Sequence, residues 1–532
     1  VEPLALPPPY GGMNDRTPKI SIRSPQCESL INCNVTEGGV SVRYGDHNLS
    51  YATSTTTGFD ECTMVVAVDD LLLVLGTTAA NQFRIYNYLT PSVAYTGPVI
   101  VGDPSPLSHL TFKSYTFFLT KTNVYSYNGA TYGVATWVPN TNLMTGTVYK
   151  NRIYFVQYQS AAYRYSAVSA IGGALAEVDL GGVLQKGGKL AIIANFSISN
   201  VTQNQNILAF ITTTGEVLFY SGTYPDSNSW ALINRAQISP PISHTSLLDF
   251  EGDVLIFAIG GVYSLRDLFV RGSQIGTSRL FNESIKNVWT ESIGTWIREF
   301  GYKINDNTAL NLISGVYDTS RNRVIILFRY LNAAVSDETT CLYFIFDVLV
   351  NAWYLHKRPL YNVDDTSANR SRCDMTMWEG PYGLLPVTLL SDPLTVTLSV
   401  KEGAVFYTPL DTFMELPLPY LLPLGVSYEI ISAPIGSSSP YLQKAAGMDV
   451  ILETDMYEET SYKFIKDLGA EETVAQTLPV GPTTSLQKPF INIGIEGSII
   501  QYKISGTSGE DRTVGLNIYG TNIWLDNGRR PS

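Results

Sequence analysis

The side chains with which this chain could do chemistry are few and widely spaced. His47, His109, His244 and His356 have no companion motif; none lies in an HExxH, and each reads as a structural histidine rather than a general base. The five cysteines, Cys27, Cys33, Cys62, Cys341 and Cys373, are odd in number and hold no CxxC, and only Cys27 and Cys33 are close in sequence. That spacing argues against a zinc site and a disulfide framework, so the thiols are expected to be reduced and structural. Residues 221–230, SGTYPDSNSW, approach the Asp-box turn of sialidases but lack the Gly and Thr between Asp226 and Trp230, and read as a turn between strands. There is no GxSxG, no Walker loop and no GxGxxG followed by an acidic residue. Any acidic chain offers carboxylate pairs for glycoside cleavage, but their separation is a property of tertiary structure. No catalytic residue, metal ligand or cofactor is assigned, and the chain is expected not to be an enzyme.

The elements that would position any site are strands. A short apolar run recurs as LLLVL at Leu71, YTFFL at Tyr115, RIYFV at Arg152, ILAFI at Ile207, VLIFA at Val254 and VIILF at Val324. Each is followed across a polar turn by an aromatic-rich partner: RIYNY at Arg84, VYSYN at Val124, YRYSA at Tyr163, VLFYS at Val217, VYSLR at Val262 and LYFIF at Leu342. A hairpin of this kind cannot bury its own faces, and most steps between units match a four-stranded propeller blade. The expected fold is all-β: a β-propeller of about six blades at 51–395, with a large β-sandwich as the competing architecture. It is preceded by an N-terminal extended arm and first strand at 1–50. A C-terminal β-sandwich-like domain follows at 396–532. Ile285, Val288, Trp289, Ile293, Trp296 and Ile297 fall at helical spacing, with Asn282 as a cap and Gly294 dividing the segment into two short helices near 282–299. Their apolar face is expected to pack on the chain's own strands.

Composition bounds the rest. Only 15% of the 532 residues are charged and 33 are Tyr, which favours strands and a largely neutral surface that partners could cover. The net charge of −12 argues against phosphate-backbone binding as the main business of the surface. Residues 1–9 show neither a basic nor a continuous apolar stretch, so synthesis in a cytoplasm without export is the expectation. Residues 415–440 carry prolines at 417, 419, 423, 434 and 440, a density that opposes both helix and central strand. Between 449 and 472 the chain is acidic, with Asp449, Glu453, Asp455, Glu458 and Glu459 at its start.

One stretch carries a family likeness. Gly11, Gly12, Met13 and Asn14 follow a proline-rich lead, then come Gln26, Leu30, Asn32, Gly38, Gly39, Arg43 and Gly45. This order resembles the amino-terminal signature of tail nozzle proteins of short-tailed bacteriophages. Residues 244–267, residues 317–353 with Asp347 and Trp353 closing a hairpin, and the ending at 517–530 are similar to later parts of those proteins. The resemblance implies a virion structural protein, made in the host cytoplasm, that forms the distal nozzle ring of a short tail as a homo-hexamer. It would sit beneath a head-to-tail adaptor, retain packaged DNA and conduct it during ejection, with tail fibres and the host surface as further contacts. On this reading Pro7, Pro8, Pro9, Tyr10, Gly11, Gly12, Met13 and Asn14 form a docking arm for the adaptor or a neighbouring subunit. Leu418, Tyr420, Leu421, Leu422 and Leu424 would project into the lumen as a gate. Asp449, Glu453, Asp455, Glu458 and Glu459 would line it, since carboxylates let DNA slide where lysines would hold it. The alternative is a glycan-binding or glycan-hydrolysing propeller of a phage tail or bacterial surface.

Overall fold

The computed structural model describes residues 4–18, 21–36, 39–42, 47–49, 61–87, 92–102, 104–120, 122–200, 203–271, 281–300, 313–328, 340–359, 371–380, 383–391, 397–400, 427–435, 443–454, 460–466, 471–472, 476–477, 483–487, 490–497, 500–507 and 516–527. They form an all-β protein with two short helices and one 3-10 turn.

Seven antiparallel up-and-down sheets follow one another along the chain. The first joins Glu61–Val68, Leu71–Thr77, Phe83–Asn87 and Ser92–Thr96; the second, Pro106–Phe112, Tyr115–Thr120, Val124–Tyr127 and Tyr132–Val134. The third joins Leu143–Tyr149, Arg152–Gln157, Ala162–Tyr165 and Ala176–Asp179; the fourth, Leu190–Asn200, Gln203–Thr212, Glu216–Ser221 and Ala231–Gln237. In the fifth, Leu247–Phe250, Asp253–Ala258 and Gly261–Ser264 run straight into helix α1, Leu265–Arg271. The sixth holds Ile313–Asp318, Arg323–Phe328, Thr340–Asp347 and Ala352–Pro359. The seventh takes Ser371–Gly380, Gly383–Ser391 and Thr397–Val400, and its fourth strand, His47–Leu49, comes from the other end of the chain. Neighbouring sheets touch in order, and Ser371–Gly380 of the seventh lies against Glu61–Val68 of the first.

The reason for the recurring sequence unit is now physical. Every apolar run picked out above is the second strand of a sheet, and every aromatic partner the third. Those strands are covered on both faces, so all six residues of Arg323–Phe328 are buried and Leu71–Thr77 shows only its first residue. The fourth strand of the first sheet, Ser92–Thr96, is half to fully exposed. Each fully buried Val, Leu, Ile or Phe contributes on the order of 1.5–3 kcal/mol of apolar burial.

Three expectations change. Seven units are present rather than about six, and the seventh crosses the boundary placed at 395. Its second strand, GLLPVTLLS, hides behind Pro386, which pairs with Met377 just beyond the end of the third strand, where no N–H is needed. Second, the helical segment is not divided at Gly294: a 3-10 turn, Glu283–Ile285, leads into one helix, α2, Lys286–Phe300. Asn282 makes no side-chain cap there, because its Oδ1 accepts from Val262 N at 2.9 Å. Third, the proline-rich region contains a central strand, Ser427–Ser432, between Cys27–Ile31 and Ile500–Thr507. Its prolines flank that strand and none falls within it.

The two chain ends build a β domain together. Cys33–Thr36 and Gly39–Val42 join a sheet with Leu516–Asn527 and Gln443–Thr454, and Leu4–Leu6 pairs with Leu516–Asn527. Cys27–Ile31 joins Ser427–Ser432, Ile500–Thr507 and Ser461–Lys466, and also meets the last strand of the sixth sheet at Ile31 and Leu355. Leu30, Ile430, Met448, Val450, Tyr502 and Ile504 share one core with Trp353, Phe344 and Trp289. The strands described between residues 4 and 42 are thus structural parts of this domain.

Candidate functional site

Part of the signature that carried the family likeness, Gly11 to Asn14, Gln26 and Asn32, lies where the N-terminal arm crosses the sixth sheet. Residues 8–12 make a tight turn: Tyr10 N donates to Pro8 O at 2.7 Å and Gly12 N to Pro9 O at 3.1 Å. Gly12 has φ +71°, and a Cβ there would lie 2.7 Å from Trp353 O, so both conformation and space demand glycine. Met13 N then donates to Trp353 O at 2.8 Å, Cys27 N to Gly12 O at 3.0 Å and Asn14 N to Cys27 O at 2.9 Å. Asn14 Nδ2 donates to Gln26 Oε1 at 2.8 Å. Further on, Asn32 N donates to Leu355 O at 2.8 Å. Cys27 and Cys33 are buried thiols outside any disulfide, and burial pushes the Cys27 thiol pKa up. His356 is buried, its Nε2 3.1 Å from Cys33 O.

Asp15, the next residue, does what Asn282 was expected to do. Its carboxylate accepts from Asn287 N at 3.3 Å and from Val288 N, and its backbone O accepts from Asn287 Nδ2 at 2.6 Å. The first free N–H groups of α2 are therefore capped from a segment 272 residues away. Burial raises the Asp15 pKa, the helix N–H groups pull it back, and Glu291 adds to the rise. Arg16 forms an ion pair with Glu283 beside it. The 3-10 turn buries Ile285 and the helix buries Trp289 and Ile293, and Trp289 Nε1 donates to Ala258 O at 3.0 Å.

Next to the arm opens a cleft of about 760 Å³ between the fifth sheet, α1 and the sixth sheet. Phe250, Phe281, Phe346 and Trp353 wall one side; Phe281 lies 4.7 Å from Phe346 and 5.9 Å from Trp353 between ring centroids. The rim carries Glu251, Asp253, Asp267 and Glu283 with Arg266 and Arg271. Most are held by the protein itself. Asp253 accepts from Ser264 Oγ and from Arg266 N, Arg271 pairs with Asp267 at 2.8 Å, and Glu251 accepts from Tyr317 Oη at 3.1 Å. No group of three or more His, Cys, Asp or Glu suited to a metal ion occurs among the described residues.

The expected site residues divide three ways. The arm is clamped to its own chain: Pro8, Pro9, Gly12, Met13 and Asn14 are buried and Gly11 is half-buried, which leaves Pro7 and Tyr10 as the exposed members. Within the subunit, the backbone hydrogen bonds of these expected docking-arm residues run to Trp353, Cys27 and Pro25. Leu418, Tyr420, Leu421, Leu422, Leu424, Asp455, Glu458 and Glu459 lie outside the described residues. Asp449 and Glu453 fall on Gln443–Thr454, alternating with the buried Met448, Val450 and Leu452. Sequence reasoning missed the cap formed by Asp15 and the junction formed by Asp374, whose Oδ2 accepts from Val65 N at 3.1 Å and whose Oδ1 accepts from Ser314 Oγ at 2.7 Å; Asp15 stands directly after the glycine-rich signature, but its partner is far away in sequence.

No protein-family model matches the chain, and no curated protein matches it. Among solved structures the chain is similar to BBS1N, crystallised in complex with ARL6DN, at 11% identity and a TM-score of 0.38, over 68% of this chain and 97% of that one. It is also similar to BamB from Moraxella catarrhalis, at 9% identity and a TM-score of 0.35, over 70% of this chain and 96% of that one.

Proposed function

We propose that the seven sheets are the blades of a β-propeller inserted into a β domain built by the two chain ends, and that the protein is a non-catalytic subunit of a short bacteriophage tail. In this reading it forms the distal nozzle as a homo-hexameric ring under the adaptor, retains the packaged genome and conducts it outward. What supports the reading is the convergence of the nozzle-like residues. Met13 and Asn32 donate to Trp353 and Leu355 of the strand Ala352–Pro359, Asn14 donates to Gln26, and Gly12 accepts from Cys27 N, next to Gln26. These signature residues thus share one structural job, which is the observation that supports the reading. Because the arm is occupied within its own subunit, contact with the adaptor would run through the exposed Pro7 and Tyr10 and the neighbouring surface. A sixfold ring would carry six times the net charge of −12, and DNA would pass it without being held.

The test is the mass of the full chain in solution, with negative-stain images of it alone and with the adaptor. Rings of six subunits, formed alone or on the adaptor, are expected. A persistent monomer that ignores the adaptor would overturn the reading. The cleft beside the arm favours a second reading, a glycan-binding surface protein, because aromatic walls with carboxylate, guanidinium and amide groups at the rim suit sugar rings. Polysaccharide binding by that monomer would select it.

A further inference from the structure

Charge is divided unevenly along this chain. Residues 104–176, which make up the second sheet and most of the third, hold five cations, Lys113, Lys121, Lys150, Arg152 and Arg164, and not one Asp or Glu. With a net charge of −12 for the whole chain, the other residues therefore carry −17. Three of the cations come to one surface. Lys113 and Lys150 stand, both exposed, at the turns between the first and second strands of the two sheets. The segment between the third and fourth strands of the third sheet ties them together. Lys113 Nζ donates to Ser169 O at 2.7 Å, Ser169 N to Asn151 O at 2.7 Å, and Arg152 Nη1 to Ser166 O at 2.9 Å. Lys113 and Lys150 make no ion pair among the described residues. Of the carboxylates on neighbouring segments, Glu177 pairs with Arg164 and Asp226 accepts from Tyr165 Oη at 2.5 Å. The same tying segment presents apolar side chains to water: Val168 is 59% exposed and Ile171 37%. Gly173–Ala174 pairs in parallel with Trp137–Val138, which brings Val138, 64% exposed, alongside. Exposed aliphatic side chains rimmed by polar groups mark a contact surface.

We propose that this surface binds a second copy of the chain head to tail, with its lysines set against the carboxylates of Asp69 and Asp70. The inference rests on the ring reading above and names one contact within it. Asp69 and Asp70 form the turn in the same position of the first sheet, and both are exposed. A ring needs two different surfaces of one chain that fit each other. A basic and apolar surface on the second and third sheets, with an acidic turn on the first, supplies such a pair. A membrane or a nucleic acid would meet the same lysines, but it would also have to approach the −17 carried by the remaining residues. A second copy turns that charge into attraction.

The test is sedimentation of the full-length chain over a range of concentrations, at about 50 and about 500 mM salt. Wild-type association is expected to weaken at the higher salt. Lys113→Glu with Lys150→Glu, and Asp69→Lys with Asp70→Lys, should each weaken it about tenfold or more. An equal mixture of the two double variants should recover it, because copies placed alternately in an even-numbered ring set opposite charges against each other at every contact. Double variants that associate as the wild type does, or a mixture that stays apart, would overturn this contact and leave the ring reading standing. A wild-type chain that stays monomeric would overturn it too, and the ring reading falls as well if no ring forms on the adaptor. Binding of that monomer to phosphatidylglycerol vesicles, lost with the two lysines, would assign the surface to a membrane instead. Should the lysine variant fail to fold, Val168→Asp carries the test at an exposed position, and undiminished association would overturn the proposal equally.

Discussion

At the scale of single residues, buried charge is used here as a fastener between segments. Asp318 and Arg323 lie at the turn between the first two strands of the sixth sheet, 0% and 3% exposed, with Arg323 Nε donating to Asp318 Oδ2 at 3.1 Å. Asp318 Oδ1 also accepts from Ser320 N at 3.2 Å and Arg321 N at 3.3 Å, so it orders the turn as well as pairing with the arginine. Removing one partner of such a pair leaves the other charged in a site without water, which costs more than the pair itself contributes. Arg323→Met is therefore expected to destabilise the protein by about 3–5 kcal/mol in equilibrium denaturation. A cost under about 1 kcal/mol would mean that the turn relaxes and lets water reach Asp318.

At the scale of elements, α2 shows how a tertiary contact overrides a local signal. A glycine inside a helix costs up to about 1 kcal/mol relative to alanine, which is why Gly294 reads as a break. The helix nevertheless runs through it, since Asp15 fixes its first turn and Trp289 and Ile293 anchor one face in the core. Nothing lies within 4 Å of where a Gly294 Cβ would be, and its φ is not in the left-handed region. Gly294→Ala is expected to raise stability by about 0.5–1 kcal/mol, read as a higher thermal midpoint. A loss of stability would mean that the helix is bent at this point by something other than its backbone preference.

At the scale of the whole molecule, the N-terminal segment belongs to both structural units. Its strands add to both sheets of the chain-end β domain, its turn closes on Trp353, and Asp15 caps the helix that packs on the fifth and sixth sheets. Deleting residues 1–42, and with them Leu30, should therefore expose the core around Met448 and Tyr502 to rapid limited proteolysis, with cuts first between 427 and 527. If the segment were only an adaptor-binding extension, the truncated chain would digest like the intact one and lose only its ability to join the tail.

The sequence by itself determined the strands that are buried on both faces. Burial from two sides removes the polar alternation, and what remains is a run such as VIILF or LLLVL with an aromatic partner, which is why second and third strands were legible while first and fourth strands were not. It determined the glycine-rich turn at Gly11 and Gly12 too, because positive φ and close approach leave glycine as the unstrained choice. Only the tertiary structure decided what those pieces meet. The pairing of His47–Leu49 with Thr397–Val400, of Leu4–Leu6 with Leu516–Asn527, and of Asp15 with α2 joins residues hundreds of positions apart. A hydrogen bond needs a donor at the right place in space and leaves no periodicity in sequence. The same holds for Asp374, an ordinary aspartate in its own strand that becomes a fastener because the first and sixth sheets arrive on either side of it.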